Sequence, residues 1–241
     1  MTESAPSQTT APRPRGRPGW QIAFSAWNLA VYASWVILPF ALARSVGWLA
    51  GWLHLCIVVA GTVAESVFVA RKNPVLKARR KQIGAGTKTW DLAWNIAFWP
   101  LMASIAIVGG LQHGAHGSSL PVWAWPAGLA VLASGFALSA WAMGTNPHFE
   151  GTVRIQTEAG HRVFEGGPYR FVRHPGYLGL VLWALGTPLL VLSVWSLVAA
   201  VVAAAWIVLR TTLEDATLRR ELPGYEDYSR RTRFRLVPGV W

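Results

Sequence analysis

The 34 residues from Gly176 to Leu209 contain no Asp, Glu, Lys, Arg or His. As one α-helix they would extend roughly 51 Å, at about 1.5 Å per residue, against a hydrocarbon core roughly 30 Å thick. That is too long for one membrane crossing and short of two ordinary ones. The run therefore predicts a tight helical hairpin, bent at Thr187-Pro188 or around Ser193. Four more apolar stretches, Trp20 to Ala43, Val46 to Ala70, Leu92 to Gly109 and Val122 to Met143, each suit one crossing. The expected fold is all-α, a polytopic membrane bundle of about six transmembrane helices. Residues 20–144 would supply four helices, and residues 145–241 a polar loop, the hairpin 176–209 and a C-terminal segment. Residues 1–19, with Pro6, Pro12, Pro14, Pro18 and three arginines, read as a disordered tail with almost nothing apolar to bury.

Composition agrees. Hydrophobic residues make up 53% of the chain and charged residues 14%, whereas soluble domains carry about 25% charged residues. A net charge of +11 usually suggests nucleic acid, but in so apolar a chain it is better explained by positive charge held on one side of a membrane. Six helices put the tail, 71–90, 145–175 and 210–241 on one side, and these segments hold 21 of the 22 basic residues. Arg44 alone lies opposite. The positive-inside rule then assigns both termini to the cytoplasm. Trp20, Trp48, Trp90 and Trp123 near the span ends fit interfacial anchors, and the basic residues of 71–88 and Arg230 to Arg235 fit contact with membrane lipid headgroups. The single cysteine, Cys56, excludes an internal disulfide framework and a cysteine-ligated zinc site.

Chemistry is expected in the two polar segments that flank the hairpin, Asn146 to Pro175 and Arg210 to Val237. Pro175 suits the first turn of a helix, which puts His174 at its N-terminus, where free N–H groups attract anions. Gly176 and Gly179 allow another backbone or a flat ligand to approach that helix. Arg210 and Glu214, four apart, share one helical face. Both ends of a hairpin lie at one membrane surface, so His174 and the Arg210/Glu214 face can meet at the cytosolic rim. Against this, Arg173, His174 and Arg210 taken singly could be interfacial anchors, and Arg210/Glu214 a weak i,i+4 ion pair.

The residues Arg173-His174-Pro175-Gly176-Tyr177-Leu178-Gly179, an apolar hairpin, Arg210 to Asp215, and Tyr225 with Tyr228 follow one another in order. In this the chain resembles the isoprenylcysteine carboxyl methyltransferase family of integral membrane enzymes, whose relatives also act on phospholipid amines and small thiols. The resemblance runs from about Asn146 to Trp241. It implies S-adenosylmethionine as cofactor, with contacts at Gln156, His161, Arg162, Val163, Phe164, Tyr169, His174, Pro175, Gly176, Tyr177 and Glu214. It further implies that Arg210 contacts the methyl acceptor; Arg173 lies in the same motif and is grouped with it as a candidate catalytic residue. Asp215 stands where the family has a second Glu. The acceptor would be a lipid or other apolar small molecule entering from the bilayer.

Two other function classes are open, a membrane NADPH-dependent reductase and a non-catalytic binding or transport protein. Glu65 is the one acid inside a span and reads mainly as structural, with snorkelling or water access. His113 and His116 read as part of a solvated outer loop, Gly110 to Pro121, and two histidines without a third ligand make no metal site. His54 and Cys56 read as packed residues of an apolar span.

Overall fold

The computed structural model describes residues 19–79 and 86–241. The expected tail lies outside these residues but for Gly19, as does the middle of the 71–90 connection. All regular structure among the described residues is helical: α1 (Gly19–Ala43), α2 (Leu49–Lys72), α3 (Pro74–Arg79), α4 (Thr89–His116), α5 (Ala124–Thr145), α6 (Pro175–Leu190), α7 (Val194–Glu221) and α8 (Tyr225–Arg231). Short 3-10 turns at Thr157–Ala159 and Gly167–Arg170 punctuate the long segment between α5 and α6.

Helices α2, α4, α5 and α7 are long and apolar enough to cross a membrane. The apolar part of α1, Leu29–Ala43, and α6, Pro175–Leu190, are shorter. At 16 residues, α6 rises about 24 Å, less than the roughly 30 Å of hydrocarbon. Its end is set by local chemistry. Leu192 adopts φ 54°, a left-handed conformation that breaks a helix. Ser193 then caps α7, its Oγ accepting the Ser196 N–H at 3.0 Å and donating to Gln112 Oε1 at 2.5 Å. The chain thus breaks at Val191–Ser193, while Thr187-Pro188 stays within α6.

Helices α5 and α6 approach closely because glycines face each other. A Cβ on Gly179 would sit 2.7 Å from the Gly135 carbonyl oxygen, and one on Gly186 would sit 2.9 Å from Leu132 N. Small residues at such a seam let backbones meet without side chains between them. The expectation that Gly179 admits another backbone is met by α5; at Gly176 the neighbour is the Phe149 ring, 2.6 Å from where a Cβ would lie. Trp94, Phe98, Met102 and Ile105 of α4 pack with Ala200, Ala203 and Ile207 of α7 and Ala184 of α6 to form the main core.

Two expectations about the N-terminal half change. Residues 110–116 continue α4 instead of starting a loop, because Gly110 and Gly114 press on α1: a Cβ at each would fall 2.1 and 2.2 Å from the Pro39 and Leu42 carbonyl oxygens. His113 stacks on Trp48 at 5.4 Å. Trp48, 2% exposed, is a packed core residue instead of an interfacial anchor, whereas Trp123 is 76% exposed.

Candidate active site

The polar segment after α5 folds back over the start of α6 and the polar end of α7, enclosing a cleft of about 780 Å³ including its mouth. Gln156, His161, Arg162, Val163, Phe164, Tyr169, Arg173, His174, Gly176, Tyr177 and Glu214 all line it. Pro175 is buried at the first position of α6 beside the cleft, outside its lining. Arg210 lies one turn before Glu214 on α7 and also outside the lining. Residues spread over 59 positions of sequence therefore converge on one cavity.

The floor is a buried charge network. Asp215, with no exposed surface, accepts from Arg173 Nε at 2.7 Å and Nη2 at 3.1 Å, Arg219 Nε at 3.1 Å, Arg235 Nε at 3.0 Å and Tyr225 Oη at 3.0 Å. His174 Nε2 lies 3.3 Å from the same carboxylate. Arg173 also donates through Nη1 to the Thr232 and Arg233 carbonyls at 2.8 and 2.7 Å. The backbone N–H groups of Arg173 and His174 donate to Phe234 and Arg235 at 2.9 Å each. The C-terminal segment is thereby tied to the entry of α6. Arg173 is 4% exposed and has its fork spent on this scaffold. The shorter reach of Asp215 compared with Glu suits its position at the centre of these donors. Burial pushes the Tyr225 phenol far up from its ordinary value, with the Asp215 carboxylate adding to it, so the hydroxyl serves as a donor.

Above the floor, the Tyr177 hydroxyl donates a short hydrogen bond to Glu214 Oε2, and the His174 ring stacks on Tyr177 at 5.7 Å. Glu214 Oε1 lies 4.0 Å from His174 Nδ1. In the first turn of α6 the Tyr177 and Leu178 N–H groups both donate to the His174 carbonyl, at 3.1 and 3.2 Å.

The opposite wall is the 146–164 segment. Gln156 is 1% exposed and donates from Nε2 to the His148 carbonyl at 2.7 Å, while its buried Oε1 has no partner among the described residues. An unpaired buried acceptor on a cleft wall is costly unless a ligand donor meets it. Arg154 bridges Glu150 at 2.7 Å and Glu158 at 2.7 Å, fixing the loop beneath Gln156. His161 Nδ1 accepts the Gln156 N–H at 3.3 Å and its ring lies 4.6 Å from His148. Burial, followed by the nearby His148 and Arg154, lowers the His161 imidazole from 6.5 to about 4. The ring is therefore neutral at pH 7 and keeps its acceptor. The unfolded chain takes up the proton first as pH falls, so His161 contributes stability above pH 6.5 that is lost between about 6.5 and 4. Melting temperatures should fall over that interval, and His161→Gln should flatten the slope; a slope unchanged by the variant would contradict this role.

Other lining residues lie in the two expected polar segments but were not singled out from sequence: Asn146, His148, Phe149, Glu150, Arg154, Leu218 and Leu222. Nothing in their type or spacing separates them from ordinary loop and helix residues. Tyr225 and Tyr228, noted as a motif, act as structural donors, Tyr228 to the Tyr169 carbonyl at 2.7 Å.

Residues 128–220 match the sequence model of the isoprenylcysteine carboxyl methyltransferase (ICMT) family. A probable protein-S-isoprenylcysteine O-methyltransferase of Oryza sativa subsp. indica is 41% identical over 51 residues, 21% of this chain and 27% of the rice protein. The protein-S-isoprenylcysteine O-methyltransferase of Saccharomyces cerevisiae is 45% identical over 58 residues, 24% of either chain. Protein-S-isoprenylcysteine O-methyltransferase B of Arabidopsis thaliana is 28% identical over 56% of this chain and 66% of its own length. The matched stretch thus spans about a quarter of the length of the rice and yeast relatives. The structure of the eukaryotic intramembrane Ras methyltransferase ICMT shares the fold, with TM-score 0.54 and 15% identity over 91% of this chain and 84% of that one. With its apolar helices and its ordered motifs around one cleft, the chain is a multi-pass integral membrane protein that resembles the isoprenylcysteine carboxyl methyltransferase family over residues 128–220 and shares the fold of a solved member.

Proposed function

We propose that this protein transfers a methyl group from S-adenosylmethionine to a lipid or other membrane-partitioned acceptor. The observation that carries the reading is the convergence of Gln156, His161 to Phe164, Tyr169, His174, Gly176, Tyr177 and Glu214 on one cleft at the polar end of an apolar bundle. The cleft also fits such a cofactor chemically. Glu214 offers a carboxylate to an ammonium, the unpaired Gln156 Oε1 offers an acceptor to an amine or hydroxyl, and Phe149 and Phe164 offer apolar walls to a flat ring.

S-adenosylmethionine, when bound, supplies an already activated methyl group on a sulfonium. The chain's own task is then mainly to position, and to keep water out. Glu214, held by Tyr177 and facing His174, would fix the amino-acid end, and the 146–164 wall would cover the rest. Arg210, on the apolar side of Glu214, would face an acceptor arriving from the bilayer. A planar guanidinium suits a carboxylate, and the names of the rice, yeast and Arabidopsis relatives point to the carboxylate of an isoprenylated cysteine as the first acceptor to try. The distribution of basic residues supports a six-span arrangement with the cleft and both termini on the cytoplasmic side.

Titration of the full-length protein in detergent with S-adenosylmethionine, S-adenosylhomocysteine and NADPH tests this. The first two should bind in the micromolar range, NADPH should not, and His174→Ala should weaken both adenosyl ligands. Binding of NADPH alone would favour a reductase, and binding of none would end the methyltransferase reading.

A further inference from the structure

The geometry points to Asp91, at the start of α4, as a positioning residue for Arg210. This rests on the proposed methyl transfer only in its kinetic part. Asp91 has no exposed surface, and its Oδ1 lies 2.9 Å from Arg210 Nε. Its Oδ2 accepts the Val153 N–H at 2.8 Å. Lys88 N–H donates to the Val153 carbonyl at 3.1 Å, and Arg210 Nη2 donates to the Gly151 carbonyl at 2.9 Å. The guanidinium is sandwiched as well, 4.3 Å from the Trp94 ring and 5.3 Å from the Tyr177 ring. One carboxylate from the N-terminal bundle thus holds both the acceptor-facing arginine and the wall of the cofactor cleft.

Two consequences follow. The Nε edge of Arg210 is ion-paired with Asp91 and its Nη2 is engaged by the Gly151 carbonyl, which leaves Nη1 for an incoming acceptor and sets the plane in which it is met. In addition, Asp91 compensates the Arg210 charge, so an anionic acceptor meets a paired cation instead of a bare one. Asp91 therefore influences turnover through the orientation of Arg210 without touching cofactor or acceptor.

The test uses full-length protein in nanodiscs, with S-adenosylhomocysteine as the binding probe and an S-farnesylated cysteine derivative and dodecanethiol as acceptor probes. Asp91→Asn removes the charge, Asp91→Glu keeps it on a longer arm, and Arg210→Ala supplies the second side of a double-mutant cycle. Asp91→Asn should lower kcat/KM by about 100-fold, the order expected from misplacing a positioning group, with S-adenosylhomocysteine affinity within about threefold of the parent. Asp91→Glu should recover part of the loss. In the Arg210→Ala background Asp91→Asn should have little further effect, since both act through one group. Additive losses, or cofactor affinity falling in step with turnover, would overturn the proposal.

A readout independent of turnover is the Arg210 Nε–H resonance in ¹⁵N-arginine-labelled protein, assigned by its loss in Arg210→Ala. It should shift in Asp91→Asn. An unmoved resonance overturns the proposal even if no acceptor is turned over. Failure of the parent protein to bind S-adenosylhomocysteine would instead count against the methyltransferase reading and leave the resonance to decide the role of Asp91. If Asp91→Asn does not fold, Asp91→Glu and the double variant, which leaves no unpaired buried charge, carry the same comparison.

Discussion

Asp215→Ala is expected to lower the melting temperature in detergent by roughly 10 °C, the order that follows from breaking a buried ion pair at about 3–5 kcal/mol in a chain of this size. Cofactor binding should be lost with it. Asp215 has no exposed surface and faces the guanidinium groups of Arg173, Arg219 and Arg235. Removing it leaves Arg173, itself 4% exposed, as a buried cation without a counter-charge. The entry of α6 would also lose its tie to the C-terminal segment, because Arg173 holds the Thr232 and Arg233 carbonyls in the same geometry. Arg219 and Arg235 reach solvent and tolerate the loss better, with side chains 35% and 29% exposed. Pairing the change with Arg173→Met should restore part of the melting temperature, because the unpaired charge is then gone. Thermal unfolding followed by fluorescence checks both. A single variant as stable as the parent would show that the network is not what holds the segment.

Glu214→Gln should have its largest effect on ligand affinity and leave folding nearly intact. The side chain is 21% exposed, lines the cleft, and carries the carboxylate available to a cationic group there. Losing a charge-assisted contact of this kind costs about 2–4 kcal/mol, which corresponds to roughly 30- to 1000-fold in S-adenosylhomocysteine affinity. Tyr177→Phe removes the hydrogen bond that orients Glu214 and should cost about 0.5–1.5 kcal/mol, a loss of roughly 2- to 12-fold. Calorimetric titration of both variants distinguishes these outcomes. Equal losses would mean that Tyr177, and not the Glu214 charge, carries recognition.

The two variants separate two neighbours on α7. Glu214 and Asp215 are adjacent in sequence, yet one faces the cleft and the other faces a cage of arginines. A helix rotates about 100° per residue, so consecutive acids necessarily point in different directions. The resemblance, in which both positions are acidic, makes them look like one acidic pair.

Much of the site was legible before any coordinates. Pro175 at the start of an apolar run, with His174 before it, identifies a helix N-terminus from local chemistry alone. The i,i+4 spacing of Arg210 and Glu214 puts them on one face through helix geometry. The helical class and most helix limits followed from long apolar runs, because a chain in hydrocarbon must satisfy its backbone hydrogen bonds internally.

Other features were beyond sequence reasoning because they depend on what lies across a contact. Gly110 and Gly114 look like loop residues until the α1 backbone is found against them. Trp48 looks like an interfacial anchor until it is seen stacked on His113 and 2% exposed. Asp91 is a lone acid before an apolar run, and only its 2.9 Å approach to Arg210, 119 positions away, gives it a role.

The sequence by itself determined the helical class, the apolar spans and the set of polar side chains that flank the apolar run 176–209. These depend on hydrophobicity and helical period, which are properties of short stretches. Only the tertiary structure decided which of those side chains face the cleft and which build its floor. Burial, ion pairing and close backbone contact are set by residues far apart in sequence, and no local pattern encodes them.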